Sequence, residues 1–124
     1  MIIETVVGDF AVCKVRDYSE VNPYAEFVFT GRTDEENSLV CRVEDVPRNA
    51  LAVEKEWKTM RICGTLDFSL VGVLSGILGL LAAEKISVFA VSTYNTDYVF
   101  VKSESFDAAL NALERAGHTV IRRS

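Results

Sequence analysis

No basic patch, no membrane-length apolar run and no nucleotide or metal signature occurs in these 124 residues. Lys and Arg number 13 against 18 Asp and Glu, for a formal net charge of −5. Residues 1–62 carry 8 basic and 12 acidic side chains and residues 63–124 carry 5 and 6. Neither half offers the clustered cations with which phosphate binding releases counterions, so a nucleic-acid partner is not expected. The uncharged stretch 68–83 holds 16 residues, short of the ~20 that cross a bilayer. It reads as a buried helix, with no membrane partner. The sequence contains no GxxxxGK loop, no GxGxxG after a strand, no HExxH and no CxxC, which removes the common phosphate, dinucleotide and zinc chemistries. Neither a cofactor nor a metal is expected. Cysteine is scarce: Cys13, Cys41 and Cys63 are odd in number, widely spaced and flanked by strand formers. That pattern suits reduced, buried thiols. The N-terminus MIIETVVGDF lacks a basic n-region and a small-residue cleavage site, so it reads as a strand rather than a signal peptide, in a cytoplasmic protein.

What is present is a chain that should fold throughout. Its 49% hydrophobic and 25% charged residues are ordinary for a globular protein. Units below roughly 60 residues bury too little apolar surface to stand alone, so any division implies fused halves. In the second half, 57–66 alternates Met60, Ile62 and Leu66 as a strand. Asp67 stands at an N-cap position, and an apolar helix is expected over 68–84. ISVFAVST (86–93), the turn residues 94–97 and YVFVK (98–102) read as a hairpin rich in β-branched and aromatic residues. Phe106, Ala109, Leu110 and Leu113 fall at helical spacing; Ser103 or Ser105 can cap that helix and Gly117 can close it. HTVIR (118–122) returns as a last strand. The order is βαββαβ, an α+β, ferredoxin-like plait.

The first half reads as an imperfect copy. FAVCKV (10–15) is a strand, and 25–43 is a hairpin with arms near 27–30 and 39–43. Its turn residues Thr30, Thr33 and Asp34 match Ser92, Thr96 and Asp97 in kind. Only about ten residues, Pro23 among them, separate strand from hairpin, too few for a full crossover helix. The expected division is a degenerate half-domain over 1–56 and a complete domain over 57–124.

Residues 66–102, LDFSLVGVLSGILGLLAAEKISVFAVSTYNTDYVFVK, resemble the ACT domain, in particular small tandem-ACT proteins related to the regulatory region of aspartate kinase and to the animal cytosolic arginine sensors. The Asp-containing loop after a strand, Gly72-Val73-Leu74, the apolar helix and the hairpin 92–97 carry the resemblance. FTGRTDEENSLVC (29–41) and Trp57 are similar to the N-terminal part of the same group. One departure is Lys85 before Ile86, where ACT domains commonly have glycine at the helix exit. The fold so implied is an ACT plait in tandem with an ACT-like N-terminal half. The resemblance also implies a non-catalytic, allosteric regulatory module that binds a free amino acid at an interface between ACT units of a homodimer.

The residues supply chemistry for such a ligand. Backbone N–H groups around Ser69, Leu70 and Val71 at the expected helix start form an anion site, and Gly72 permits close approach. The backbone near Val91 and Ser92 offers carbonyls, Thr93, Tyr94 and Asn95 polar groups, and Asp97 a carboxylate. In the arginine sensors that this hairpin resembles, the matching aspartate faces the ligand's cationic end, which implies a cationic amino acid. Each of these residues also has a structural reading. Asp67 serves as a cap, 93–97 as turn formers, and Gly72, Gly76 and Gly79 as one close-packing face. His118 reads as a satisfied structural histidine. Nothing in the spacing argues for a Cys63–His118 nucleophile pair, and the glycine-rich, Arg-bearing loop of acylphosphatases, which share this architecture, is absent. A purely structural dimerisation module is the alternative function.

Overall fold

Two long strands, inwardly apolar over only part of the second, each serve two units. The computed structural model describes residues 1–63 and 72–124. One unit comprises Met1–Val7 and Lys58–Ser124, the other Gly8–Trp57. Strands β1 (Ile2–Val15) and β4 (Ala50–Ile62) run through both. Each has a left-handed residue where it passes between units, Gly8 at φ 123 and Glu56 at φ 72.

The larger unit contains, after β4, helix α1 (Val73–Ala83), strands β5 (Val88–Ser92) and β6 (Asp97–Lys102), helix α2 (Phe106–Arg115) and strand β7 (Thr119–Ile121). The βαββαβ order is therefore present. Its sheet runs β7-β1-β4-β6-β5. Residues Ile2–Glu4 insert beside β7, pairing in parallel with Thr119–Ile121, and the Cys63 N–H donates to Ile2 O at the other side. Both helices pack apolar residues on this sheet. Ile77 and Leu81 of α1 meet Met60, Ile62, Val99 and Val101, and Ala109, Leu110 and Leu113 of α2 complete the core.

Helix α1 differs from expectation at its start. The helix runs from Val73 and its N-cap is Gly72 at φ 89; residues 68–71 of the expected helix lie outside the described residues. A left-handed cap suits glycine because no Cβ opposes it. Asp67 itself lies outside the described residues. The expected packing face is also different: a Cβ built at Gly76 or Gly79 meets no heavy atom within 4 Å among the described residues. Both glycines are exposed.

The two helices end alike. Lys85 N–H donates to Ala82 O (2.9 Å) and Ile86 N–H to Leu81 O (3.0 Å); Gly117 N–H donates to Glu114 O (3.0 Å) and His118 N–H to Leu113 O (3.1 Å). Each is a Schellman closure, which needs a left-handed residue. Gly117 adopts it at φ 99 and Lys85 at φ 60, so the chain keeps the glycine conformation with a lysine. At the start of α2, Ser105 is the N-cap residue but makes no side-chain capping bond, a 3-10 turn over Ser103–Ser105 leading in instead.

The smaller unit carries strands β2 (Phe29–Arg32) and β3 (Asn37–Arg42) beside β1, in the order β2-β3-β1-β4. The hairpin arms lie about two residues from those expected, and β4 starts seven residues earlier than 57, over sequence that lacks the inward apolar alternation. No helix connects β1 to β2. Residues 16–28 form turns pinned by side chains: Asp17 Oδ1 accepts from the Ser19 N–H (3.0 Å), and Asn22 Oδ1 from the Tyr24 N–H (3.0 Å). The small core of Ala11, Cys13, Val15, Leu39 and Cys41 is covered by Tyr18, Val21 and Val28 of this segment.

Candidate functional site

The hairpin of the larger unit is built by its threonines. Thr93 N–H and Thr93 Oγ1 both donate to Thr96 O (2.8 and 2.9 Å), and the Thr96 N–H donates back to Thr93 Oγ1 (3.3 Å). A threonine hydroxyl that closes a turn in this way removes the need for glycine. The buried Thr96 hydroxyl donates to Ile62 O at 2.6 Å, tying the turn to the last residue of β4. Ser92 and Asp97 face each other in the β5–β6 register, and the Ser92 hydroxyl donates to Asp97 Oδ1.

Between this turn and the ends of β4 and β1 lies a cavity of about 360 Å³, lined by Glu4, Arg61, Cys63, Asn95, Thr96 and Tyr98 among others. Arg61 takes the outward position between the buried Met60 and Ile62, as strand alternation requires. Its Nε and Nη2 both donate to Glu4 Oε1 (3.0 and 2.9 Å). Arg123 Nε and Nη2 donate to the second oxygen, Glu4 Oε2 (2.9 and 2.7 Å). The two guanidiniums, Arg123 first and then Arg61, hold the Glu4 carboxyl below its ordinary value of 4.5. Tyr98 and then Glu4 hold Arg61 above the usual arginine value.

Of the residues singled out in the sequence, Asn95 lines this cavity. Thr93 is taken up by the turn, and Tyr94 projects into solvent at 83% exposure. Val91 is half-buried opposite Tyr98, and the Asp97 carboxylate is engaged by Ser92. Gly72 caps α1, and a Cβ there meets no heavy atom within 4 Å among the described residues. Asp67, Ser69, Leu70 and Val71 lie outside the described residues. Glu4, Arg61 and Tyr98 were not singled out in the sequence, and Cys63 and Thr96 were read there only as a reduced thiol and a turn former. The outward place of Arg61 in an alternating strand was a usable signal; the approach of Glu4 was not, because 57 residues separate it from Arg61.

His118 meets the expectation of a satisfied residue only in part, with a hydrogen bond to the Met1 backbone. It precedes β7 rather than lying on it, and its Nδ1 is buried without a hydrogen-bond partner among the described residues. Burial first, and the N-terminal ammonium second, push its pKa below the ordinary 6.5. The thiols also divide. Cys13 and Cys41 are buried and Cys63 is half-buried. Burial raises the Cys13 pKa and takes that of Cys41 to about 12.

The smaller unit repeats the hairpin sixty residues earlier. Thr33 N–H donates to Glu36 O (2.9 Å), and the Glu36 N–H donates to Thr33 Oγ1 (3.2 Å), the bonds of Thr93 and Thr96. Thr33 therefore corresponds to Thr93 and Asn37 to Asp97, which corrects the expected matching of Thr33 with Thr96. A cavity of about 420 Å³ sits beside this turn too, lined by residues including Lys14, Glu36, Ser38 and Glu54.

One βαββαβ unit and a hairpin repeated in the other unit frame the question of family, and the family comparison decides it: the ACT domain family model matches residues 52–115. The chain belongs to the ACT domain family. The ACT match covers all of α1, β5, β6 and α2. No curated protein matches this ACT chain. Among solved structures, a protein from Agrobacterium tumefaciens is 25% identical with a TM-score of 0.85, covering 99% of this chain and 93% of that one. A Vibrio cholerae protein of unknown function, described as a possible transport protein, is 26% identical with a TM-score of 0.68, over 90% and 85% of the two chains. The ligand-free regulatory subunit of aspartate kinase from Thermus thermophilus shares the fold at 11% identity, with a TM-score of 0.64 over 93% and 97%. Among the described residues of the ACT chain, no helix is long and apolar enough to cross a membrane.

Proposed function

We propose that this chain is a non-catalytic regulatory domain of the cytoplasm that binds a free amino acid at an interface between ACT units of a homodimer. Membership of the ACT family carries the reading, and the likeness in fold to the regulatory subunit of an aspartate kinase supports it. The ligand residues proposed are those that precede α1 in the sequence (Asp67, Ser69, Leu70, Val71 and Gly72) and those of the hairpin (Val91, Ser92, Thr93, Tyr94, Asn95 and Asp97). Asp97 would face a cationic end of the ligand, a charge-assisted contact that a neutral isostere cannot make.

Thermal melting with each of the twenty amino acids tests the reading. A ligand that binds only the folded state adds about 2.7 kcal/mol at a hundredfold excess over Kd, so one or a few amino acids should raise Tm. Asp97→Asn should then weaken a basic amino acid by about 1.5–3 kcal/mol, while twenty unshifted curves would reject amino-acid binding. A second reading, a structural dimerisation module without ligand, is favoured by the exposed Gly76 and Gly79 on α1. A clean monomer mass by light scattering at micromolar concentration would count against the dimer in either reading.

A further inference from the structure

The cavity beside the Thr93–Thr96 turn has a charge balance that the amino-acid reading does not use. Glu4 places one carboxylate between two guanidiniums, Arg61 on Oε1 and Arg123 on Oε2, so this cluster carries one surplus positive charge. Arg61 forms part of the cavity wall. The lining also includes side chains of donor type: the Asn95 amide, the Cys63 thiol and the Tyr98 hydroxyl, the last of which is bonded to Arg61. The Thr96 hydroxyl is already committed to Ile62 O, and it sets the turn that presents Asn95. The volume of about 360 Å³ falls at the small end of the range for ligand sites, roughly 300–1,000 Å³. The equivalent cavity of the smaller unit has the opposite balance, Lys14 against Glu36 and Glu54. Among the described residues, a basic wall is thus particular to one unit rather than a by-product of the hairpin.

We propose that this cavity binds a small organic carboxylate, with the Arg61 guanidinium as its anchor and Asn95 and Tyr98 as further donors. The Nε and Nη2 of Arg61 hold Glu4 before ligand arrives, so little side-chain freedom is lost on binding, and a planar guanidinium suits a planar carboxylate better than a spherical charge. The site lies within one unit and stands whether the carboxylate belongs to an amino acid or to another organic acid.

Cys63 provides the probe. It is half-buried at the cavity, whereas Cys13 and Cys41 are 3% and 1% exposed, so iodoacetamide should label Cys63 first, read by mass spectrometry on the full chain. Labelling is timed with each of the twenty amino acids, with amino-acid amides lacking the α-carboxylate, with acetate and succinate, and with sulfate and phosphate. At least one carboxylate should slow labelling tenfold or more at saturation, and an amide counterpart should not. Arg61→Gln should raise the half-protecting concentration at least tenfold, and Arg61→Lys should raise it less. Because Arg61→Gln also breaks an ion pair, Asn95→Asp, on an exposed turn, adds negative charge to the wall without touching that pair and should abolish protection. Protection by no carboxylate, equal protection by amides, protection by sulfate or phosphate alone, or protection unaltered in Arg61→Gln and Asn95→Asp would each overturn the proposal. An amino acid that raises Tm without protecting Cys63 would leave the proposed function standing and this site rejected; succinate or acetate protecting alone would do the reverse.

Discussion

The two hairpins share register and turn bonds, and their roofs differ. β3 and β6 bury the same three central positions, Leu39, Val40 and Cys41 in one and Val99, Phe100 and Val101 in the other. Both hairpins turn on a threonine that bonds the residue three ahead. Over the larger sheet lie two helices, whose Ile77, Leu81, Leu110 and Leu113 are almost wholly buried. Over the smaller lies a 13-residue connection, 16–28, that covers five small core residues with half-buried Tyr18 and Val21. A turn is specified by local hydrogen bonds and survives copying. A roof depends on how much chain is available to cross the sheet, and Pro23 with so short a connection leaves none for a helix.

If the helical roof carries more of the stability, Leu81→Ala should cost about 3 kcal/mol in denaturant unfolding, as full removal of a buried leucine does. Val21→Ala, half-buried in the other roof, should cost under about 1 kcal/mol; equal losses would break the comparison. The turns can be separated next. Thr96→Val deprives Ile62 O of a buried hydroxyl partner and should cost about 2 kcal/mol, whereas Glu36→Gln, at the exposed counterpart, should change stability by less than about 0.5 kcal/mol. A third contrast lies between the two helix ends. Lys85→Gly relieves a left-handed side chain and should stabilise by about 0.5–1 kcal/mol, while Gly117→Ala imposes one and should destabilise by about 1 kcal/mol.

The smallest effect concerns pH and belongs to the larger unit alone, since His118 is the sole histidine. Its folded pKa lies below the ordinary 6.5, so on acidification the unfolded chain takes up the proton first. The stability held by neutral His118 is complete above about pH 6.5 and falls as pH drops through the lowered folded value. His118→Gln should therefore lose less stability than the wild type between pH 7.5 and pH 5, measured by denaturant midpoints; identical slopes would show that burial of the ring carries no cost.

Much of this was legible in the chain. Met60 and Ile62 marked a strand by alternation, Phe106, Ala109, Leu110 and Leu113 marked a helix face, and Gly117 marked its end, because each rests on periodicity or on one residue's backbone preference. The start of α1 was less legible: Asp67 is a good cap by type, but Gly72 supplies the left-handed cap, and type alone does not choose between two adequate caps five residues apart. The register of the repeat slipped for a similar reason, since Thr30, Thr33, Thr93 and Thr96 are interchangeable until their bonding partners are known.

The sequence by itself determined the order of elements, the ACT family and the hairpin turns, all of which depend on neighbours close along the chain. Only the tertiary structure decided that Ile2–Glu4 would slip between β7 and β4, bringing Glu4 to Arg61 and Arg123. Strand pairing and ion pairs of that kind join residues 57 and 119 positions apart. No local propensity encodes which distant strand is nearest; chain closure and the burial of Ile3 against Met60 and Leu113 settle it.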